Sequence, residues 1–254
     1  MRPMDSTTII LIAGAAVAGF VQGLSGFAFG MVSTAIWAWW LPPQLVAPMA
    51  VFGALAGQVI AAVSTRRTLQ WPRLLPLLLG GLAGLPLGLL LLPQLDSAWF
   101  QAGVGTLLAL WCPLMLASGR LPQWRVRHRG ADALAGAAGG FTGAVGGFTG
   151  ALPTLWCTLN HWPKDELRSV VQNFNLVMLA VTFVAYIASG LIGVQHLPYM
   201  AWVGPVLLIP VLAGAKLYAG ISPEAFKRVV LVLLACSGVA LLLRSVPVLL
   251  QRLG

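Results

Sequence analysis

Apolar residues run almost unbroken along this chain, interrupted by short clusters of glycine, proline and charge. The apolar blocks cover roughly 8–40, 43–63, 74–95, 98–117, 131–160, 167–193, 197–219 and 223–250. All but the first and fifth have lengths near the ~20 residues that one helical bilayer crossing needs. Those two are too long for one ordinary span and too short for two, and each carries a glycine cluster: "GFVQGLSGFAFG" (19–30) and "GFTGAVGGFTG" (140–150). As helices, Thr8–Gln22 and Phe27–Trp40 would each measure about 21–23 Å, against a hydrocarbon core of about 30 Å. Two half-helices meeting at the glycines fit that length. Glycine costs about 1 kcal/mol against alanine inside a helix and leaves helical dihedrals readily. Breaks are therefore predicted around positions 23, 26 and 30, and again around 143, 146, 147 and 150. Broken backbone at membrane depth is tolerated only where protein or a water-filled cavity surrounds it.

The two unusual blocks are copies. "GFVQGLSGF" (19–27) lies over "GFTGAVGGF" (140–148) at an offset of 121 residues, which also places Pro42 over Pro163 and Leu55 over Leu176. With five more residues inserted, "FQAGVGTLLAL" (100–110) lies over "FKRVVLVLLAC" (226–236). The expected organisation is a first membrane repeat over 1–118, a basic cytoplasmic linker over 119–130, and a second membrane repeat over 131–254. Each repeat holds four apolar segments. The N-terminal run has the outline of a cleavable leader, with "AVA" at 16–18, but its mid-chain copy marks it as a structural element.

Composition agrees with this reading. Of 254 residues, 59% are hydrophobic and 8% charged, with a mean hydropathy of +0.89, so the chain reads as an all-α, multi-pass integral protein of the cell (inner) membrane. Fifteen Lys and Arg face six acids, yet most of the cations fall between apolar blocks, as the positive-inside rule requires, and no nucleic-acid partner is implied. If blocks one and five each cross once, the cations divide ten to five. If each enters and returns as a hairpin, Arg2, Arg244 and Arg252 lie on one side and the other twelve on the opposite side. The second split obeys the rule better. It leaves three crossings per half, an odd number, which makes the halves inverted repeats with both termini outside the cytoplasm.

Candidate chemistry is confined to few places. Backbone N–H groups at a break, with the positive end of a half-helix, suit an anion. This singles out Gln22, Ser25, Gly26 and Gly30 in the first half, and Thr142, Gly143, Gly146, Gly147, Thr149 and Gly150 in the second. The same glycines form small-xxx-small pairs that also serve helix packing. In "SVVQNFNLVMLAV" (169–181), Gln172, Asn173 and Asn175 enter an apolar helix opposite Val51, Phe52 and Ala54 of the first half. Gln172 and Asn175 share a helical face, and amides in hydrocarbon need partners, so they face inward as substrate contacts or interhelical bonds. Gln58 reads as a packing or lumen-facing amide. Arg168 and Lys216, near block ends, are snorkelling cations or an anion funnel. All six acids lie at block ends or in loops, which leaves no mid-membrane carboxylate for coupling. Cys112, Cys157 and Cys236 are widely spaced inside apolar blocks, and neither a metal-ligand set nor a catalytic motif is present. No cofactor is implied.

The doubled Gly-Phe-x-x-x-x-x-Gly-Phe region, the proline that follows it and the polar "QNFNL" helix resemble the sulfite exporter TauE/SafE family of membrane transporters over essentially the whole chain. The resemblance implies a secondary transporter that carries sulfite or a small organosulfonate, moved by alternating exposure between two repeats. Its partners are then a small anionic substrate and the lipid bilayer, with a homodimer through "GGLAGLPLG" (80–88) left open. The chain departs from the family in having fewer consecutive glycines at "GFAFG" and "GFTGA", and "FGAL" (52–55) where small hydroxyl residues are usual. The rival reading is a membrane scaffold or assembly subunit, in which glycines pack helices and amides lock them.

Overall fold

The computed structural model describes residues 5–64, 69–120, 128–217 and 223–253. Arg2, Arg66, Arg67, Arg125 and Arg127, with residues 121–127 of the expected linker, lie outside the described residues. What is described is helical, with no strand among the described residues: α1 (Ser6–Ser25), α2 (Phe29–Trp37), α3 (Pro43–Ser64), α4 (Trp71–Leu91), α5 (Ser97–Ala117), α6 (Arg129–Gly146), α7 (Ala151–Leu159), α8 (Lys164–Ala188), α9 (Leu197–Leu217) and α10 (Pro223–Leu253). Seven helices among the described residues are long and apolar enough to cross a bilayer. At nine residues each, α2 and α7 are too short, spanning about 14 Å.

Helix starts follow local chemistry. Asp5 caps α1 by accepting the Thr8 N–H at 2.9 Å, and Asp96 caps α5 by accepting the Trp99 N–H at 2.9 Å. Asp132 lies in the first turn of α6, and Asp165 and Glu166 in that of α8, where the helix dipole favours them. Arg73 at the start of α4 pairs with Glu166 and lies over the Trp162 ring at 4.6 Å, which ties those two helix starts together.

The first and fifth blocks are each broken once, as predicted, but not into equal halves. With 20 residues, α1 is about 30 Å long, a full crossing length, followed by the nine-residue α2. Of the expected break points only Gly26 and Gly147 have positive φ, 83° and 77°. The other glycines stay helical or flank the turn because they are packing seats. A Cβ on Gly14 would lie 2.1 Å from the Trp37 indole nitrogen, and one on Gly23 would lie 2.1 Å from the Val211 carbonyl oxygen. Trp37, fully buried, donates its indole N–H to the Ile10 carbonyl at 3.1 Å and so folds α2 back along α1.

Glycine contacts also set the relative directions of the helices. Cβ atoms on Gly80, Gly84 and Gly88 of α4 would lie 1.8, 2.0 and 2.6 Å from the carbonyls of Ala133, Ala137 and Phe141. Both series rise together, so α4 and α6 run parallel. The stripe offered to a second copy by sequence is thus covered by α6 of the same chain. In the same way Gly19 meets Leu207 and Gly23 meets Val211, so α1 and α9 run parallel. Gln22 bonds to Ala54 and Gln58 to Gly26, which makes α3 parallel to α1. Gln44 at the start of α3 donates to the Leu95 carbonyl beyond the end of α4, so α4 runs antiparallel to α3. It follows that α6 points opposite to α1.

The main core gathers Leu11, Ala15, Phe29, Trp37, Met49 and Leu108, and a smaller one lies between α4 and α8 around Leu77, Phe174 and Met178. Outside, Ile209 is 77% exposed and Leu243 72%. An apolar girdle of this kind is a liability in water and the ordinary surface of a protein solvated by lipid.

Candidate functional site at two helix breaks

The first break is held by its own polar groups. The Gly26 N–H donates to the Gln22 carbonyl at 2.7 Å, closing α1 in the left-handed conformation that glycine adopts without a Cβ penalty. The Ser25 hydroxyl donates to the Val21 carbonyl at 2.8 Å and accepts the Ala28 N–H at 3.3 Å. Ser25 thereby takes up an amide that the sequence reading left for an anion. The first helical return bond of α2 runs from Val32 N–H to the Ala28 carbonyl at 3.1 Å, so the amides of Phe29, Gly30 and Met31 have no acceptor within the helix. Gln58 donates its side-chain amide to the Gly26 carbonyl at 2.7 Å. Gln22 donates to the Ala54 carbonyl at 3.2 Å, which fixes the orientation of its amide and leaves Oε1 buried without a partner.

The second break repeats this plan with different groups. The Gly147 N–H donates to the Gly143 carbonyl at 2.8 Å, and the Phe148 N–H to the Thr142 carbonyl at 3.4 Å. Thr142 turns its hydroxyl back to the Ala138 carbonyl at 2.8 Å. A Cβ on Gly143 would lie 2.7 Å from the Thr149 hydroxyl, and one on Gly146 would lie 2.5 Å from the Phe148 ring, so both glycines let the chain fold back tightly. Thr149 Oγ1 and Asn175 Oδ1 are buried and have no partner.

The two breaks meet. A Cβ on Gly30 would lie 2.2 Å from the Gly147 carbonyl oxygen, and Thr34 donates its hydroxyl to the Gly146 carbonyl at 3.0 Å. Helix α8 reaches both: Gln172 lies against Gly26 (2.8 Å from its virtual Cβ) and Asn175 against Gly150 (2.5 Å). Asn173, on the same turn, is buried. The structure therefore gathers Gln22, Ser25, Gly26, Gly30, Gly146, Gly147, Thr149, Gly150, Gln172 and Asn175 around one junction. Thr142 and Gly143 stand just behind it as turn-makers. Arg168 and Lys216 are exposed and outside it, although Arg168 precedes Gln172 by one helical turn and Lys216 follows Val211, the neighbour of Gly23.

Sequence reasoning set Gln58 aside, yet it bonds directly to the first break. Its signal was the same as that of Gln172, an amide in an apolar helix. Thr34 and Thr154 gave no signal, since threonine is common in membrane helices. Among the described residues no Asp, Glu, Lys or Arg side chain is buried, and the polar side chains gathered at this junction are amides and hydroxyls, so anything held here meets dipoles and not full charges.

A family model described as sulfite exporter TauE/SafE matches residues 11–241, which take in both breaks and the amide helix. The chain belongs to that family. It is accordingly a multi-pass membrane protein of a transporter family. No curated protein and no solved structure matches the chain. In this TauE/SafE chain an open apolar groove lies beside the second break between α5 and α7, walled by Trp99, Leu107, Trp111, Leu152 and Leu155. Thr142 stands between that groove and the break.

Proposed function

We propose that this TauE/SafE chain is a secondary transporter of a small oxyanion, sulfite or an organosulfonate, held at the junction of the two breaks in the inner membrane. One observation carries the reading: two unwound segments, copies in sequence, touch each other deep in the protein, and one helix sends a buried amide to each. Unwound backbone at membrane depth needs surrounding protein or a water-filled cavity, and amides oriented at a helix break recognise anions without a full countercharge.

Support for an inverted repeat comes from direction and reciprocity. Helix α6 opposes α1, and the left-handed glycine of each half faces the matching turn of the other, Gly26 against Gln172 and Gly147 against Ala50 and the Val51 backbone. The offset of 121 relates Val51 to Gln172. In this reading Arg244 and Arg252 mark the outer face and Arg73, Arg129, Lys164 and Arg168 the cytoplasmic one, with alternating access as the two repeats rock about the junction. The unpaired Gln22 Oε1 is an acceptor, which an anion satisfies only through a proton of its own. A hydrogen-bearing monoanion such as bisulfite therefore suits the first break better than a dianion.

The test is flux of sulfite, methanesulfonate and sulfate into vesicles reconstituted with the protein, with Gln172→Leu and Asn175→Leu alongside. The proposal expects sulfite or sulfonate flux in the wild type and loss in both variants at normal folded yield. Wild-type flux in both would remove the junction as the site.

A further inference from the structure

Three buried oxygens around the second break have no hydrogen-bond partner: Thr149 Oγ1, Thr154 Oγ1 and Asn175 Oδ1. Their residues are 1%, 4% and 2% exposed. All three residues adjoin Gly150. Thr149 precedes it, the Thr154 N–H donates to its carbonyl at 3.0 Å, and a Cβ placed on Gly150 would lie 2.7 Å from Asn175 Oδ1. Threonines elsewhere in this hairpin spend their hydroxyls on the helix: Thr158 donates to the Thr154 carbonyl at 2.6 Å and Thr142 to the Ala138 carbonyl at 2.8 Å. Thr149 and Thr154 do not.

The first half has no such arrangement. At the 121-residue offset the equivalents are Ala28, Ser33 and Ala54. Ser33 donates its hydroxyl to the Gly30 carbonyl at 3.2 Å, and the two alanines have nothing to offer. The oxygens thus stand at one of the two breaks and not at the other. Leaving a buried polar group unsatisfied is costly, and three on residues that adjoin one glycine call for an occupant.

We infer that the second break is a binding site for a monovalent, hard cation of the sodium class, with Thr149, Thr154 and Asn175 as its neutral oxygen ligands. Hard cations take oxygen ligands, and divalent ones at protein sites are held through carboxylates. No carboxylate stands here: Asp132, the acid of this hairpin, is at the far end of α6 and accepts the Trp156 indole N–H at 2.8 Å. Unwound helix segments in transporters coordinate sodium with uncharged backbone oxygens, and here uncharged side-chain oxygens stand beside such a segment. The site rests on these oxygens alone. Its coupling to anion movement rests on the transporter reading, in which the cation supplies the positive charge that the neutral junction lacks.

Thermal unfolding of the purified chain, followed by tryptophan fluorescence in sodium, potassium or choline chloride at one ionic strength, tests the site without any anion substrate. A saturable rise in Tm with sodium over choline is expected. Thr154→Val, which removes one oxygen at nearly constant volume, should weaken the apparent sodium affinity at least about tenfold, while Thr154→Ser should keep it. Equal Tm in sodium and choline for the wild type overturns the site, as does a Thr154→Val protein with unchanged sodium dependence. Should Thr154→Val not fold, the wild-type salt comparison and the Thr149→Ser and Thr149→Val pair decide. For coupling, sulfite flux should rise with an imposed sodium gradient at clamped voltage. Flux indifferent to sodium refutes the coupling, whereas a sodium-dependent Tm with no anion flux at all retains the site and refutes the transporter reading.

Discussion

Gly30→Ala should separate the two breaks. A methyl group at Gly30 would lie 2.2 Å from the Gly147 carbonyl oxygen and 2.7 Å from its carbon, where ordinary contact begins at 3.4 Å. The obstacle is backbone at a left-handed turn, with no side chain to swing aside. One break must therefore retreat by about 1 Å, against the usual cost of overpacking of about 1–3 kcal/mol. That is enough to lower Tm by several degrees without preventing assembly, and a displacement of about 1 Å in a positioned site costs roughly a hundredfold in function. Gly103→Ala is the control, since nothing lies within 4 Å of a methyl group there. The same substitution in an unobstructed helix contributes up to about 1 kcal/mol of stability. Both variants would be measured for detergent Tm and for sulfite flux in vesicles. If Gly30→Ala matches Gly103→Ala in flux and stability, the breaks do not form one tight junction and their contact does not position the site.

Three other outcomes follow from the geometry. Gln58→Leu strips the Gly26 carbonyl of its 2.7 Å donor and should destabilise by about 1–3 kcal/mol in denaturant or thermal unfolding. The Trp99 N–H and then the Arg252 guanidinium hold the Asp96 carboxyl below its ordinary 3.8. A depressed folded value means that the stability from ionised Asp96 is complete above that ordinary value and is lost as pH falls through the lower folded one. Wild type should therefore exceed Asp96→Ala in Tm at neutral pH and converge on it in acid, and a gap that persists in acid would count against the cap. Finally, in a background without native cysteines, Gln94→Cys should react with an impermeant thiol reagent in intact cells and His128→Cys only after permeabilisation; labelling of both from outside rules out the proposed topology.

Much of the fold was legible because hydrocarbon imposes a coarse rule. A crossing must be long, apolar and helical, so the spans at α3, α4, α5, α8, α9 and α10 fall close to the apolar blocks. The two breaks were legible because Gly-Phe pairs recur at constant spacing. The kind of glycine was not. Seven break points were expected and two residues, Gly26 and Gly147, make the turns. A glycine that lets a backbone approach and one that lets the chain reverse have the same side chain, and only the neighbouring helix distinguishes them. Gly23 is straight because α9 lies on it, and Gly80 to Gly88 face α6 and not a second copy because α4 and α6 run parallel in contact.

The site divides in the same way. Sequence alone fixed that polar groups inside apolar helices face protein, since exposed amides are unfavourable in lipid, and so it found Gln22, Gln172, Asn173 and Asn175. It had no means of telling which would be satisfied by a neighbour, because hydrogen-bond partners such as Ala54, Gly26 and Gly146 are backbone groups brought near by folding and have no signature of their own. Tertiary structure decided that Ser25 closes its own turn, that Gln58 braces the first break, and that Thr149, Thr154 and Asn175 keep free oxygens. Which elements form is written in short-range composition and period; which atoms are left unpaired depends on distances across the fold.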